Sequence, residues 1–307
     1  MMAVKIFGHQ NPDTDTITSA IVLADIETKL GNDVVATRLG EVNAETQYAL
    51  DHFNVSAPEQ IEKVGEDDDV ILVDHNEFQQ SAENIGQANI LKVVDHHRIA
   101  NFQTESPLYY RAEPVGCTAT ILHKMYKEND LEISREMAGL MLSAIISDTL
   151  LYKSPTTTDE DVAAGEALQT IAEVNPEEYG IEMLKAGAST KEKSAEALIT
   201  GDAKSFEMGP KTTRIAQINV VDVDEVLARK AELTKVVEKE IEAEGYDLFV
   251  LVITNILESD STVIALGADA SAVEKAFDVS LDEDTALLEG VVSRKKQVVP
   301  NITKALG

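Results

Sequence analysis

The chain has 307 residues, about twice the roughly 150 of one domain, so two domains are expected, each large enough to bury a core. With 44% hydrophobic and 26% charged residues and no biased tract, the disordered and fibrous classes are excluded. Its 26 Lys and Arg against 55 Asp and Glu leave a net charge of −29, a field that repels nucleic-acid backbones and anionic lipid and gathers divalent cations.

Short apolar runs at residues 4–7, 34–36, 70–73 and 90–94 read as buried strands. Between the first two, Ile17, Ala20, Ile21 and Ala24 repeat with helical spacing over residues 16–30, and Gly31 supplies the stop. Strands alternating with helices point to βαβ units and a parallel sheet. A further apolar run, residues 139–146, is followed by Asp148. Residues 187–194 are small and polar without a periodic apolar face, a solvated stretch that suits a hinge. The expected division is therefore a first domain over 1–187, a linker over 188–194 and a smaller second domain over 195–307. In the second, strand-like segments at 214–221, 248–254 and 262–266 alternate with one long helix over 224–244, whose stripe is Val226, Leu227, Lys230, Leu233 and Val237. The acidic clusters at 66–69 and 282–284 read as solvated loop faces.

The lone cysteine, Cys117, can make neither an intrachain disulfide nor a paired-thiolate zinc site, which suits a reducing compartment. Residues 1–10 hold an apolar stretch too short for a signal-peptide core, and no run approaches the roughly 18 apolar residues of a membrane span. A cytoplasmic protein is expected, with no membrane and no nucleic acid among its partners.

GxGxxG, Gly-Lys of a P-loop, GxSxG and HExxH are all absent, which removes support for nucleotide-fold and serine-hydrolase chemistry. Polar residues instead interrupt the apolar strands at their ends. Gly8-His9-Gln10-Asn11-Pro12-Asp13-Thr14-Asp15 follows the first, Asp74-His75-Asn76 the third, and Asp95-His96-His97 the fourth. In an open parallel sheet the ligand crevice lies outside the carboxyl ends of the strands, so these interruptions converge. With Asp148 they offer imidazoles and carboxylates without a thiolate, too many hard ligands for one ion and suited to two Mn²⁺-like cations sharing a carboxylate. Taken singly each residue has a bland reading: Asp15 as a helix cap, His9 or His96 as a hydrogen-bonded core histidine. An EF-hand at Asp13 fails, because its sixth position is Thr18 and its twelfth Ala24. The other histidines, His52 and His123, read as packing or surface residues.

The pattern Asp95-His96-His97, with His9-x-Asn11-x-Asp13-x-Asp15 upstream, Asp74-His75-Asn76 between and Asp148 after, resembles the DHH phosphoesterase superfamily. Within it, Gly8 to Asp13, Asp95-His96-His97-Arg98 continuing to Pro114-Val115-Gly116, and Ser293-Arg294-Lys295-Lys296-Gln297 resemble the family II, manganese-dependent inorganic pyrophosphatases over the whole chain. That resemblance implies two α/β domains, a parallel-sheet DHH domain and a smaller mixed-sheet domain, with the active site in the cleft between them. It implies one metal on His9, Asp13 and Asp74, a second on Asp15, Asp74, His96 and Asp148, and Asp74 as the bridge. Asp95 would orient a histidine ligand, and His97 would bind phosphate and give a proton. Lys204, Arg294 and Lys295 would grip pyrophosphate. Adjacent side chains of a regular strand point to opposite faces, so that grip requires irregular backbone around Arg294.

The implied activity is hydrolysis of inorganic pyrophosphate to two phosphates by a water held between two Mn²⁺ or Co²⁺ per subunit, with Mg²⁺ arriving on the substrate, in a homodimer. One alternative is a superfamily phosphodiesterase acting on short oligonucleotides or adenosine bisphosphate. It is disfavoured by the absence of Gly-Gly, by only 7 Phe, 7 Tyr and no Trp for base stacking, and by the acidity. A non-catalytic metal or nucleotide binder would have no use for Lys204 or the Arg294-Lys295-Lys296 island.

Overall fold

Residues 3–191 and 193–307 are described by a computed structural model. Met1, Met2 and Glu192, the last within the expected linker, lie outside the described residues. The chain divides into two compact units, Met1–Gly187 and Ala188–Gly307.

The first unit is built on a six-stranded sheet in the order β3-β2-β1-β4-β5-β6, parallel throughout. Its strands are β1 (Val4–Phe7), β2 (Val34–Arg38), β3 (Glu59–Gln60), β4 (Asp69–Val73), β5 (Asn89–Asp95) and β6 (Tyr109–Ala112). Val70, Ile71, Leu72 and Val73 of β4 are all buried, as a central parallel strand covered on both faces requires. The helices are α1 (Thr14–Lys29), α2 (Ala44–His52), α3 (Thr118–Glu128), α4 (Arg135–Thr149), α5 (Asp159–Ala172) and α6 (Pro176–Ala188). Strand order reverses between β1 and β4, and the crevice at such a reversal is where open α/β sheets bind ligands.

Helix α1 starts two residues before the expected position. Asp13, not Asp15, is its N-cap, accepting from the Thr16 amide at 2.9 Å. Thr14, Asp15, Thr16, Thr18 and Ser19 are buried although polar, so apolar periodicity alone could not mark this first turn.

The second unit carries a five-stranded sheet ordered β11-β10-β9-β8-β7, from β7 (Ala203–Met208), β8 (Lys211–Val220), β9 (Leu248–Asn255), β10 (Asp260–Leu266) and β11 (Thr285–Leu288). β8 and β9 run parallel and the other pairs antiparallel, so the sheet is mixed. Its helices are α7 (Ala195–Thr200), α8 (Val223–Leu227), α9 (Lys230–Glu244), α10 (Ser271–Phe277) and α11 (Val299–Leu306). Strand β9 feeds two cores by alternation: Phe249, Leu251 and Ile253 pack with Leu233 and Val237, while Leu248, Val250 and Val252 pack with Val298 and Ile302. Each such burial contributes about 1.5–3 kcal/mol.

Two expectations need correction here. The single helix over 224–244 is two helices, α8 and α9, because Arg229 leaves helical geometry and sends its guanidinium to the carbonyls of Thr190 and Lys193 at 3.0 and 2.8 Å. The apolar spacing runs through the break, which hides it from a periodicity reading. The stretch expected to be irregular and solvated is also more ordered. Gly187 and Ala188 close α6, and Thr190 is buried, its amide and hydroxyl both donating to Glu225 at 2.6 and 2.8 Å. No helix among the described residues is long and apolar enough to cross a membrane.

Candidate metal centre

The first unit brings its polar strand-end residues together at the β1/β4 reversal. β1 runs into Gly8 and His9, where a Cβ on Gly8 would stand 2.4 Å from Thr16 Cγ2, so only glycine lets the turn approach α1 this closely. β4 runs into Asp74, buried and held at a left-handed φ of 58°. β5 ends in Asp95 and hands over to His96 and His97, while Asp148 comes from the last turn of α4 rather than from a strand.

Potential ligand atoms of His9, Asp13 and Asp74 lie within 4.8 Å of one another, as do those of Asp15, His96 and Asp148, and those of Asp74, His96 and His97. His9 Nε2 is 3.4 Å from Asp13 Oδ2 and 3.5 Å from Asp74 Oδ2. On the other side of Asp74, His96 Nε2 is 3.5 Å from Oδ1 and 3.9 Å from Asp148 Oδ2. Asp74 thus presents one oxygen to each histidine, the arrangement a bridging carboxylate needs.

Each of these side chains leans on a second group. Thr16 Oγ1 donates to Asp74 Oδ2 at 2.6 Å and Thr118 Oγ1 to Oδ1 at 2.9 Å. Asp15, fully buried, accepts from Ser19 Oγ (2.6 Å) and from the amides of Thr118 (2.7 Å) and Ala119 (3.3 Å). His9 Nδ1 is paired with Gln10 O at 2.7 Å and His96 Nδ1 with Val115 O at 3.0 Å, which turns both Nε2 atoms toward the carboxylates. Behind the cluster, Glu45 Oε1 accepts from Thr14 Oγ1 at 2.7 Å and from Ser147 Oγ, tying the start of α1 to the end of α4.

Electrostatics supply the test of whether metal fits. Burial, then Asp15, Asp13 and Asp148, push the Asp74 carboxyl well above its ordinary value, and burial, then Asp15 and Asp13, do the same to Asp148. Buried carboxylates facing one another are costly unless a proton or a cation intervenes. Nitrogen and oxygen donors without a thiolate suit divalent cations of the Mn²⁺ kind, and Asp74 shared between two clusters suits two of them. Burial, then Asp15 and Asp148, raise the Cys117 thiol well above its usual range, so it remains neutral beside the cluster.

The neighbouring residues divide their work differently from the expectation. Asp95 orients His97 rather than a ligand of the two clusters assigned above: its Oδ1 accepts from His97 Nδ1 at 2.9 Å and from the His97 amide at 3.0 Å. Asn76 Nδ2 donates to the other Asp95 oxygen at 2.6 Å. The hydrogen bond to Asp95 outweighs burial and raises the His97 pKa, and the ring is half exposed. His75 is structural, paired with Val73 O and Ser81 Oγ at 3.0 Å each, and burial lowers its pKa to about 4.

In the second unit, Arg294, Lys295 and Lys296 lie on a π-helical turn, Arg294–Val298, capped by Ser293. The irregular backbone that a shared grip requires is therefore present. Arg294 sends its guanidinium to the carbonyl oxygen of Asp202 and, at 2.7 Å, to Asp202 Oδ1. That places it beside the start of β7, two residues from Lys204, which is exposed on this edge strand.

Known proteins match this chain over nearly its whole length. The DHH family, N-terminal domain, matches residues 3–145, and the DHHA2 domain matches 181–305. The manganese-dependent inorganic pyrophosphatase of Bacillus subtilis is 59% identical over 100% of this chain and 99% of its own. A Staphylococcus saprophyticus relative that carries the same name provisionally is 62% identical, with coverage of 100% and 99%. This chain belongs to the manganese-dependent inorganic pyrophosphatase family. A crystal structure of a Methanococcus jannaschii protein assigned to family II of the inorganic pyrophosphatases superposes with a TM-score of 0.63 at 40% identity, covering 99% of both chains.

For a member of this pyrophosphatase family, sequence reasoning found the cluster-forming side chains and missed what holds them. Thr16, Ser19 and Thr118 gave no signal, being hydroxyls without a motif, while Asn76 and Val115 stood inside quoted segments with no role assigned and act through the amide on Asp95 and the carbonyl on His96. Only the unusual density of buried Thr and Ser from Thr14 to Ser19 could have hinted at them.

Proposed function

We propose that this chain hydrolyses inorganic pyrophosphate to two phosphates, using two divalent cations held by His9, Asp13 and Asp74 and by Asp15, Asp74, His96 and Asp148. The observation that carries the reading is Asp74, buried, left-handed, and offering one oxygen to each histidine. Bound there, such cations supply Lewis acidity, lowering the pKa of a water and balancing charge on phosphate oxygens. Mn²⁺ or Co²⁺ suits the donors, and Mg²⁺ would accompany the substrate.

The chain's own groups supply the rest. Asp95 fixes His97 by its Nδ1, which leaves Nε2 as the ring atom free to bind a phosphate oxygen and pass a proton to the departing phosphate. Asn76 keeps Asp95 in place by occupying its second oxygen. Lys204, Arg294 and Lys295 neutralise the phosphate oxygens, with Arg294 pre-oriented by Asp202. The protein works in the cytoplasm as a homodimer in this reading; β6 ends the first unit's sheet with Tyr109 47% exposed, an edge that a second copy would cover.

The deciding experiment is phosphate release from pyrophosphate beside a short oligonucleotide, after chelation and return of Mn²⁺, Co²⁺, Mg²⁺ or Zn²⁺. Release from pyrophosphate alone, restored best by Mn²⁺ or Co²⁺ and absent in Asp74→Ala, is expected. Cleavage of the oligonucleotide instead would remove Lys204, Arg294 and Lys295 from their roles first. Light scattering of the purified protein checks the dimer.

A further inference from the structure

We infer that Asp161 is a positioning residue for one of the two metal sites, pinning the turn before α3 that orients His96 and Asp15. The inference rests on the two-cation reading above.

Asp161 is fully buried in the first turn of α5. A capping box accounts for part of its bonding: Oδ2 accepts from the Thr158 amide at 2.8 Å and from Thr158 Oγ1 at 2.7 Å. Two further bonds have no capping purpose. Oδ2 also takes the Gly116 amide at 2.8 Å, and Oδ1 takes Thr120 Oγ1 at 2.6 Å, across 45 and 41 residues of sequence. A buried carboxylate with four donors is a rigid anchor, since each bond to a charged acceptor is stronger than a neutral one and none is exchanged with water.

What lies between the two anchored residues gives the anchor its meaning. The amides of Thr118 and Ala119 hold both oxygens of Asp15, and Thr118 Oγ1 holds Asp74 Oδ1. One residue before Gly116, Val115 O receives His96 Nδ1. Gly116 itself admits no side chain: a Cβ there would stand 2.6 Å from Asp161 Oδ2 and 3.1 Å from Cγ2 of Thr149, the residue after Asp148. By contrast His9 is oriented by Gln10 O and Asp13 by the Thr16 amide, and Asp74 keeps its second tie to Thr16. Loosening the turn therefore unsettles the Asp15, His96 and Asp148 cluster and spares the His9 and Asp13 side.

The test is calorimetric titration of Mn²⁺ into metal-free full-length protein, for the wild type and for Asp161→Asn, Thr120→Val and Gly116→Ala. Two Mn²⁺ per chain are expected in the wild type. In the variants one site should keep its affinity and the other weaken by roughly 10–100-fold, the usual effect of removing a group that orients a ligand. Ser134→Ala, which removes the N-cap of α4 at the end of that helix away from Asp148, should melt at a lower temperature with both affinities unchanged. Should Asp161→Asn fail to fold, Thr120→Val, which preserves shape, and Gly116→Ala decide the question. Equal weakening of both sites, or of neither, overturns the inference while leaving the two-cation reading standing. Uptake of a single Mn²⁺ by the wild type overturns that reading and this inference with it.

Discussion

In Met1–Gly187, His9, His96, Asp13, Asp15 and Asp74 each meet a second protein group that sets their orientation, whereas in Ala188–Gly307 Lys204 and Lys295 stand exposed and Arg294 is held at Asp202. The two arrangements answer different demands. A cation site works only if several donors keep fixed separations, so the first unit accepts the cost of crowding buried carboxylates and meets it with threonine hydroxyls and backbone amides. An anion with several equivalent oxygens can be met by long, solvated side chains that adjust on arrival, at a cost in side-chain entropy and with sensitivity to salt.

The sharpest way to break this contrast is at Asp74. Asp74→Asn should abolish turnover and the uptake of both cations, as calorimetry and phosphate release will read. The same change should stabilise the metal-free protein. Burial and the neighbouring Asp15, Asp13 and Asp148 hold the Asp74 carboxyl well above its ordinary range, and a carboxyl raised on folding costs stability wherever the unfolded chain has already lost that proton. An uncharged amide removes the repulsion, so the melting temperature without metal should rise by a few degrees, about the effect of 1 kcal/mol in a chain of this size. An unchanged or lower value would mean that the hydroxyl ties to Thr16 and Thr118 outweigh the crowding.

Next in size is Arg294 in the second unit. Arg294→Ala should lower kcat/KM on the order of 10–100-fold, the worth of a lost charge-assisted contact of about 1.5–3 kcal/mol. Arg294→Lys should recover little, because a lysine cannot hold both Asp202 oxygens while facing an anion. Mn²⁺ affinity should be untouched in both, and a change there would dissolve the contrast between the units.

Glu45→Ala comes third. Its carboxylate joins Thr14, which lies between Asp13 and Asp15, to Ser147, which precedes Asp148, so it supports ligands of both clusters. Both Mn²⁺ affinities should fall together, by about tenfold. That would set Glu45 apart from Asp161, whose ties reach one cluster.

The sequence showed the ligand side of this picture because topology makes it visible. A βαβ sheet opens its crevice at strand ends, and there the apolar runs stop abruptly at His9, Asp74 and Asp95. The supporting contacts were invisible for an equally physical reason. Thr118 to Asp15, and Gly116 to Asp161, join residues 103 and 45 positions apart through single backbone amides, so even Gly116, inside the quoted Pro114-Val115-Gly116 segment, gives no sign of its partner. The break at Arg229 was hidden because the apolar spacing continues through it, and the burial of Thr190 because Glu225, its partner, belongs to a different element.

The smallest effect is expected at Lys296, and it sharpens the account of the second unit. Consecutive side chains on a strand diverge by roughly 180°, but on a helical turn by much less, so the π-helical turn at Arg294–Val298 lets neighbours share a face without gathering all three. Lys296→Ala should then change kcat/KM less than about twofold, within the range of a solvated surface charge, while Lys295→Ala costs about tenfold. Measuring both at low and high salt separates two kinds of anion binding. If Lys296→Ala matches Lys295→Ala at low salt and both effects vanish at high salt, the island acts as a diffuse field. If only the Lys295 effect survives added salt, the turn selects which cation reaches the phosphate, and the second unit is more preorganised than its exposed lysines suggest.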